Sequence, residues 1–306
     1  MKTKLLLSVL LAFSFTLVPR TWAQSEKATS INILAIGGHP DDCDIRAAGL
    51  IKKIEAQGHK AKFVALTNGD KGHWRDSGET LAKRRQEEMK AAGDMLGVSM
   101  EILDNRDGEL VASLKNREAV VRIIREWNTD LLIVHGANEL HPDHRATHQL
   151  VVDAAMMFTV PNYLSEVTPL KQLPIILYGD NLYGRLPFNP EIILPVDDVI
   201  DDKLAVTLCH FSQFVEWGTT GNINTMPKTE EEIALAMENS KQGMGGWFSS
   251  NTNRYRDLID KAFGKENSKS ITYVEAFEVS PYGRLPSLKE LKALFPEGTY
   301  FDSGLK

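Results

Sequence analysis

Two short segments combine histidine, proline and carboxylate in a pattern suited to metal chemistry. His39-Pro40-Asp41-Asp42 and His141-Pro142-Asp143-His144 each set two metal-ligand residues three apart around a proline. A proline suits the opening of a helix, and residues three apart share one side of a helical turn. His39 with Asp42, and His141 with His144, can therefore face one cation, while Asp41 faces elsewhere. A lone His-Pro-Asp reads as readily as a surface turn. Two copies, each following a strand of one α/β sheet, are a stronger signal. Two histidines and one carboxylate, with a fourth position open, match the ligand count of a catalytic zinc site. Such an ion polarises a carbonyl and brings the pKa of a bound water to about 7. The chemistry then needs a carboxylate base and an acid for the leaving group. Asp41, Asp143 and whichever histidine is not a ligand supply the candidates, and spacing alone does not choose between His141 and His144.

The elements around these segments alternate. Ile31–Ile36 is an apolar run ended by Gly37-Gly38 and reads as a buried strand. A helix with Leu50, Ile51 and Ile54 follows and stops at Gly58. Phe63–Leu66, Met100–Leu103 and Leu131–Val134 read as further strands, with helices at Leu81–Leu96, Leu114–Trp127 and Arg145–Phe158 between and after them. That alternation predicts an α/β fold, a Rossmann-like, mainly parallel sheet with helices on both faces. Beyond Pro161 the pattern loosens. Strands at 175–178 and 192–194 and helices at 198–209, 229–239, 253–263 and 287–294 read as a C-terminal α+β extension over 179–306. It continues the core at 31–178, so that 24–306 forms one domain. Both histidine motifs follow strands, and ligands of open α/β sheets bind beyond the strands' carboxyl ends.

Composition narrows the function classes. The 306 residues are 42% hydrophobic and 25% charged, which is ordinary globular usage. With 35 Lys+Arg against 41 Asp+Glu, electrostatic binding to nucleic acid is not expected. Cys43 and Cys209 make neither a disulfide framework nor a Cys-x-x-Cys zinc ribbon. Residues 1–23 read as a secretory signal peptide: Lys2 and Lys4, then an uncharged Leu5–Val18 stretch, then small residues around Ala23. The stretch is shorter than the roughly 20 apolar residues of a membrane span. The expectation is an exported protein, periplasmic or secreted, with no stable membrane anchor after cleavage. Trp74, Trp217 and Trp247 read as loop aromatics that either pack structurally or stack on sugar rings.

The quoted motifs resemble the paired signatures of the PIG-L/LmbE-like family of zinc-dependent N-acetylglucosamine deacetylases. The likeness extends to Thr67-Asn68-Gly69-Asp70-Lys71-Gly72, Arg85-x-x-Glu88, Asp107-Gly108, His210-x-Ser212-Gln213 and Glu275-Ala276-Phe277. It spans most of 31–280, with only the two histidine motifs specific. The resemblance implies His39, Asp42 and His144 as ligands of one Zn2+ per chain, other divalent ions being accepted, and Asp41 as general base. It implies His141 as acid or oxyanion stabiliser, with Asp143 holding its tautomer and raising its pKa. Arg85 and Asp107 would contact a small-molecule or glycan substrate. Where the family usually has Glu after the two aspartates, this chain has Cys43. Rival expectations are a metal-containing carbohydrate-binding protein without turnover, and another metal-dependent esterase or amidase on the same fold.

Overall fold

A computed structural model describes residues 30–181, 186–217, 226–295 and 297–300; the segment 1–23, expected to be a leader, lies outside them. The first half runs β1 (Asn32–Gly37), α1 (Asp42–Ile54), β2 (Lys60–Thr67), α2 (Gly78–Leu96), β3 (Ser99–Asn105), α3 (Leu114–Glu126), β4 (Leu131–His135) and α4 (Pro142–Ala154). The second half adds β5 (Ile175–Gly179), β6 (Ile192–Pro195), α5 (Ile200–Leu208), a π-helical turn (Ser212–Trp217), α6 (Glu230–Arg254), α7 (Arg256–Phe263), β7 (Val274–Val279), α8 (Leu288–Leu294) and β8 (Thr299–Tyr300). Among the described residues, the strands form one sheet in the order β3-β2-β1-β4-β5-β7-β6-β8. The first five are parallel, and β7, β6 and β8 pair antiparallel.

The alternation of side chains along each strand divides the core between two faces. Ile33 and Ala35 of β1 pack with α1 and α2 residues such as Leu50, Ile51, Met89 and Leu96. Leu34 and Ile36 pack on the other face with Val120, Ile124, Leu150 and Phe158. Chain order reverses between β1 and β4, where successive crossovers leave to opposite sides. That switch point opens a crevice beyond the strand ends.

The C-terminal half differs most from the sequence reading. Val274–Val279 forms a strand, β7, whose apolar run is short and interrupted by Glu275. The helix expected over 229–239 runs to Arg254, through Gly243, Gly245 and Gly246, whose low helix propensity hid the continuation. Trp247 therefore lies on a helix and not in a loop.

One tertiary device ties this half to α1. The Glu275 carboxylate accepts the backbone N–H groups of Gly49 and Leu50 at 2.8 Å each. Lys203 Nζ donates to the Ile45 carbonyl at 2.6 Å and pairs with Glu275. A Cβ at Gly49 would lie 2.8 Å from Glu275 Oε1, so only glycine admits the carboxylate there. Both ions are buried, which makes removal of one partner costly. Glu275→Ala should lower unfolding free energy by about 3–5 kcal/mol in a denaturant titration. A loss below about 1 kcal/mol would show that the pair does not hold α1.

Candidate metal centre and active site

The crevice end of β1 is shaped by Gly37-Gly38. A Cβ on Gly37 would sit 2.5 Å from Asp42 Cβ, and one on Gly38 would sit 3.0 Å from His144 Cδ2. The diglycine lets the chain pass between two candidate ligands. His39 follows it and Asp41 caps α1, so Asp42 is the first residue of that helix. On the other side, His141 caps α4 and Pro142 opens it, with His144 in its first turn. The two motifs therefore differ in register: the first lies mostly before its helix, and the second enters it.

Three lone-pair atoms converge where the segments meet. His39 Nδ1 lies 3.3 Å from Asp42 Oδ2 and 3.1 Å from His144 Nε2, and Asp42 Oδ2 lies 3.2 Å from His144 Nε2. Tetrahedral zinc donors at about 2.0–2.1 Å from the ion stand roughly 3.3 Å apart. The triangle thus fits one face of such a site.

His135 is the rival ligand, because its Nε2 is 3.2 Å from Asp42 Oδ2. That nitrogen already accepts the Gly38 N–H at 3.0 Å, and the ring is fully buried. Its lone pair is spent.

Each ligand is held from behind. His39 Nε2 sits 3.3 Å from both Asp107 Oδ1 and Asp143 Oδ2. His144 Nδ1 meets Glu139 Oε2 at 3.2 Å, and Arg46 Nη1 donates to Asp42 Oδ1 at 2.9 Å. Carboxylate–histidine pairs of this kind fix which ring nitrogen faces a metal. Burial pulls the His39 pKa down, but Asp107, Asp143 and Asp42 outweigh it and hold it well above 6.5. Burial pushes the Asp107 carboxyl up, yet His39 and Arg85 bring it down to about 2.

His141 and Arg85 gather at the same place, and Asp41 lies between His39 and Asp42 in the chain. Asp41 is nearly buried, and its carboxylate has no hydrogen bond or ion pair among the described residues. His141 is the more open group, at 37% side-chain exposure, with its ring 4.4 Å from that of His39. Its Nδ1 accepts the Asp143 N–H, which leaves Nε2 as the donor. Arg85 donates to the Gly72 carbonyl and to Gln213, and lies 4.0 Å from Asp107.

The expected partnership of Asp143 with His141 is not what the geometry forms. Their nearest side-chain approach is 4.0 Å, whereas Asp143 accepts from Gly108 N–H and Leu110 N–H and meets His39. The His141 pKa goes down, first through burial and then through His39 and His144. Asp143 is the back of His39 instead. Cys43 lies away from the ligands, with Sγ 3.7 Å from the Val64 carbonyl, and burial raises its thiol. Trp74 and Trp217 stack on each other, 4.3 Å apart. Sequence reasoning missed Arg46, His135 and Glu139. Arg46 was legible as the i+4 partner of Asp42, while His135 and Glu139 carry no local signal.

Comparison with known proteins identifies the family. A family profile described as PIG-L, GlcNAc-PI de-N-acetylase, matches residues 34–155. The diacetylchitobiose deacetylase of Thermococcus kodakarensis is 32% identical over 190 residues, covering 60% of this chain and 70% of that protein. The chain belongs to the PIG-L/LmbE-like deacetylase family. This family member also resembles the 4-oxalmesaconate hydratase of Pseudomonas putida, at 24% identity over 192 residues, covering 60% of this chain and 74% of that one. Its fold matches the solved N,N'-diacetylchitobiose deacetylase of Pyrococcus horikoshii with a TM-score of 0.61 at 24% identity, covering 85% and 87% of the two chains.

The ligand triangle predicts metal content directly. His39→Ala, Asp42→Ala and His144→Ala should each lose most of the bound divalent ion after dialysis, measured by elemental analysis, while His135→Gln retains it. Full occupancy in the first three variants, or loss confined to His135→Gln, would overturn this ligand set.

Proposed function

We propose that this chain is an exported, zinc-dependent hydrolase that removes the acetyl group from an N-acetylated amino sugar or glycoconjugate. One observation carries the reading: between two of the three donors in the chain, His39 and Asp42, stands Asp41, whose carboxylate has no partner among the described residues, and beside them stands His141, its ring 4.4 Å from that of His39 and its Nε2 free to donate. A binding protein needs neither group. The relationship to a diacetylchitobiose deacetylase supports the sugar, and the leader-like segment 1–23 supports a glycan met outside the cytoplasm.

A zinc ion held by His39, Asp42 and His144 would supply Lewis acidity to the amide carbonyl and make a water more acidic. The chain's own residues do the rest. Asp41 accepts a proton from the attacking water as its oxygen bonds to the acetyl carbon. The carbonyl π electrons move to oxygen, where His141 Nε2–H donates a hydrogen bond to the developing charge. Asp41 then returns its proton to the nitrogen as the C–N bond breaks, releasing acetate and the free amine. With His141 biased towards its neutral form, this hydrogen bond does not require an imidazolium. Asp107, beside His39 and Arg85, is placed to accept a substrate hydroxyl.

Acetate release from a panel of N-acetylated mono- and oligosaccharides, with O-acetyl esters and an unsaturated dicarboxylate as rivals, tests the reaction class. Asp41→Asn should keep its metal while acetate release falls by roughly 10² or more; undiminished turnover would remove Asp41 from this role. Hydration of the dicarboxylate with no acetate from any sugar would favour the hydratase-like reading. For export, mass spectrometry of protein secreted by an expression host should find a mature chain starting near Gln24. An intact Met1 terminus would contradict the leader.

A further inference from the structure

A buried guanidinium joins the backs of two metal ligands. Arg46 Nη1 donates to Asp42 Oδ1 at 2.9 Å and to the Asp42 carbonyl at 3.2 Å. Its Nη2 donates to Glu139 Oε1 at 2.9 Å. Glu139 uses Oε1 again for His135 Nδ1 and offers Oε2 to His144 Nδ1, both at 3.2 Å. Arg46, Glu139, Asp42, His135 and His144 are all buried. Around them, a Cβ on Gly179 of β5 would come within 3.1 Å of Arg46 Cδ, so the neighbouring strand leaves room for the arginine stem. Arg145 Nη1 donates to the Glu139 carbonyl at 2.7 Å, fixing the backbone from which the carboxylate extends.

This arrangement solves two orientation problems with one planar fork. Asp42 must present Oδ2 and not both oxygens, and Arg46 occupies Oδ1. His144 must present a lone pair on Nε2, and Glu139 holds its Nδ1–H. A lysine carries the same charge but lacks the rigid two-pronged geometry that spans two carboxylates. We propose that Arg46 and Glu139 are positioning residues that set the affinity and coordination geometry of the metal site, acting through Asp42 and His144. The proposal rests on the ligand set given above. It is independent of the substrate, so its test needs none.

Metal affinity is read by competition with a chromophoric chelator, and geometry by the visible absorption of the cobalt-substituted protein. Thermal unfolding of the chelator-stripped protein separates local from global damage. Glu139→Gln should weaken binding by about 10–100-fold and shift the cobalt bands. Arg46→Lys should fold, keep the charge and still bind metal at least several-fold more weakly with altered bands. In the double variant the losses should fall short of the product of the single ones, because both break one chain of contacts. Affinity and cobalt spectrum unchanged in a folded Glu139→Gln protein would overturn the proposal. If that variant does not fold, Arg46→Lys decides in the same way. Multiplicative losses in the double variant would also overturn a single clamp. Failure of acetate release in the wild type would leave these readings untouched.

Discussion

Three lone-pair atoms within 3.3 Å of one another, on segments about a hundred residues apart, are the constraint on which this structure turns. Bare lone pairs at that distance repel unless a cation or protons lie among them. The surroundings supply negative charge in excess, from Asp42, Asp107, Asp143 and Glu139, with Arg46 and Arg85 as buried counter-charges. Burial lowers the pKa of His39 and His144, but their carboxylate neighbours outweigh it and raise both. The same field that favours positive charge on these rings would favour a divalent cation among them.

Keeping the triangle intact explains much of the remaining architecture. Asp42 rides on α1, so anything that shifts this helix shifts a candidate ligand. Glu275 and Lys203, from β7 and α5, grip the helix at its middle. The C-terminal extension also meets the loop after β2 and the start of α2: Glu216 of the π-helical turn bonds His73 of the loop at 2.9 Å and Arg84 of the helix at 2.6 Å. Those contacts position the segment that carries Gly72 and thereby Arg85. The antiparallel half of the sheet acts as a brace for the parallel half.

Division of labour among the acidic groups follows from what each touches. Asp143 and Asp107 share the far nitrogen of His39, and Asp143 also anchors the backbone of the loop that carries Asp107. Asp41, two residues from His39, has no such partner among the described residues. Asp143 comes no nearer to the His141 ring than 4.0 Å, and burial together with His39 and His144 pushes that ring towards its neutral form. Its capping of α4 through Nδ1 turns Nε2 into the donor.

The sequence determined the parallel half of the sheet, because apolar strands and amphipathic helices alternate there with clear stops. It also marked His39, Asp42, His141 and His144 through spacing around proline, and Gly37-Gly38 as the end of β1. Local pattern could not say which of His141 and His144 faces the ligands. That depends on where Pro142 starts α4, which turns His144 inward and leaves His141 at the cap. Nor could it pair Asp143 with His39, or bring Glu139 behind His144, since those contacts join separate loops across the switch point. β7 and the full length of α6 escaped for a related reason: a buried glutamate interrupts one and glycines the other, and both are stabilised by distant partners. Spacing reveals chemistry held within one turn of chain, whereas the partners that orient it meet only after the sheet has closed.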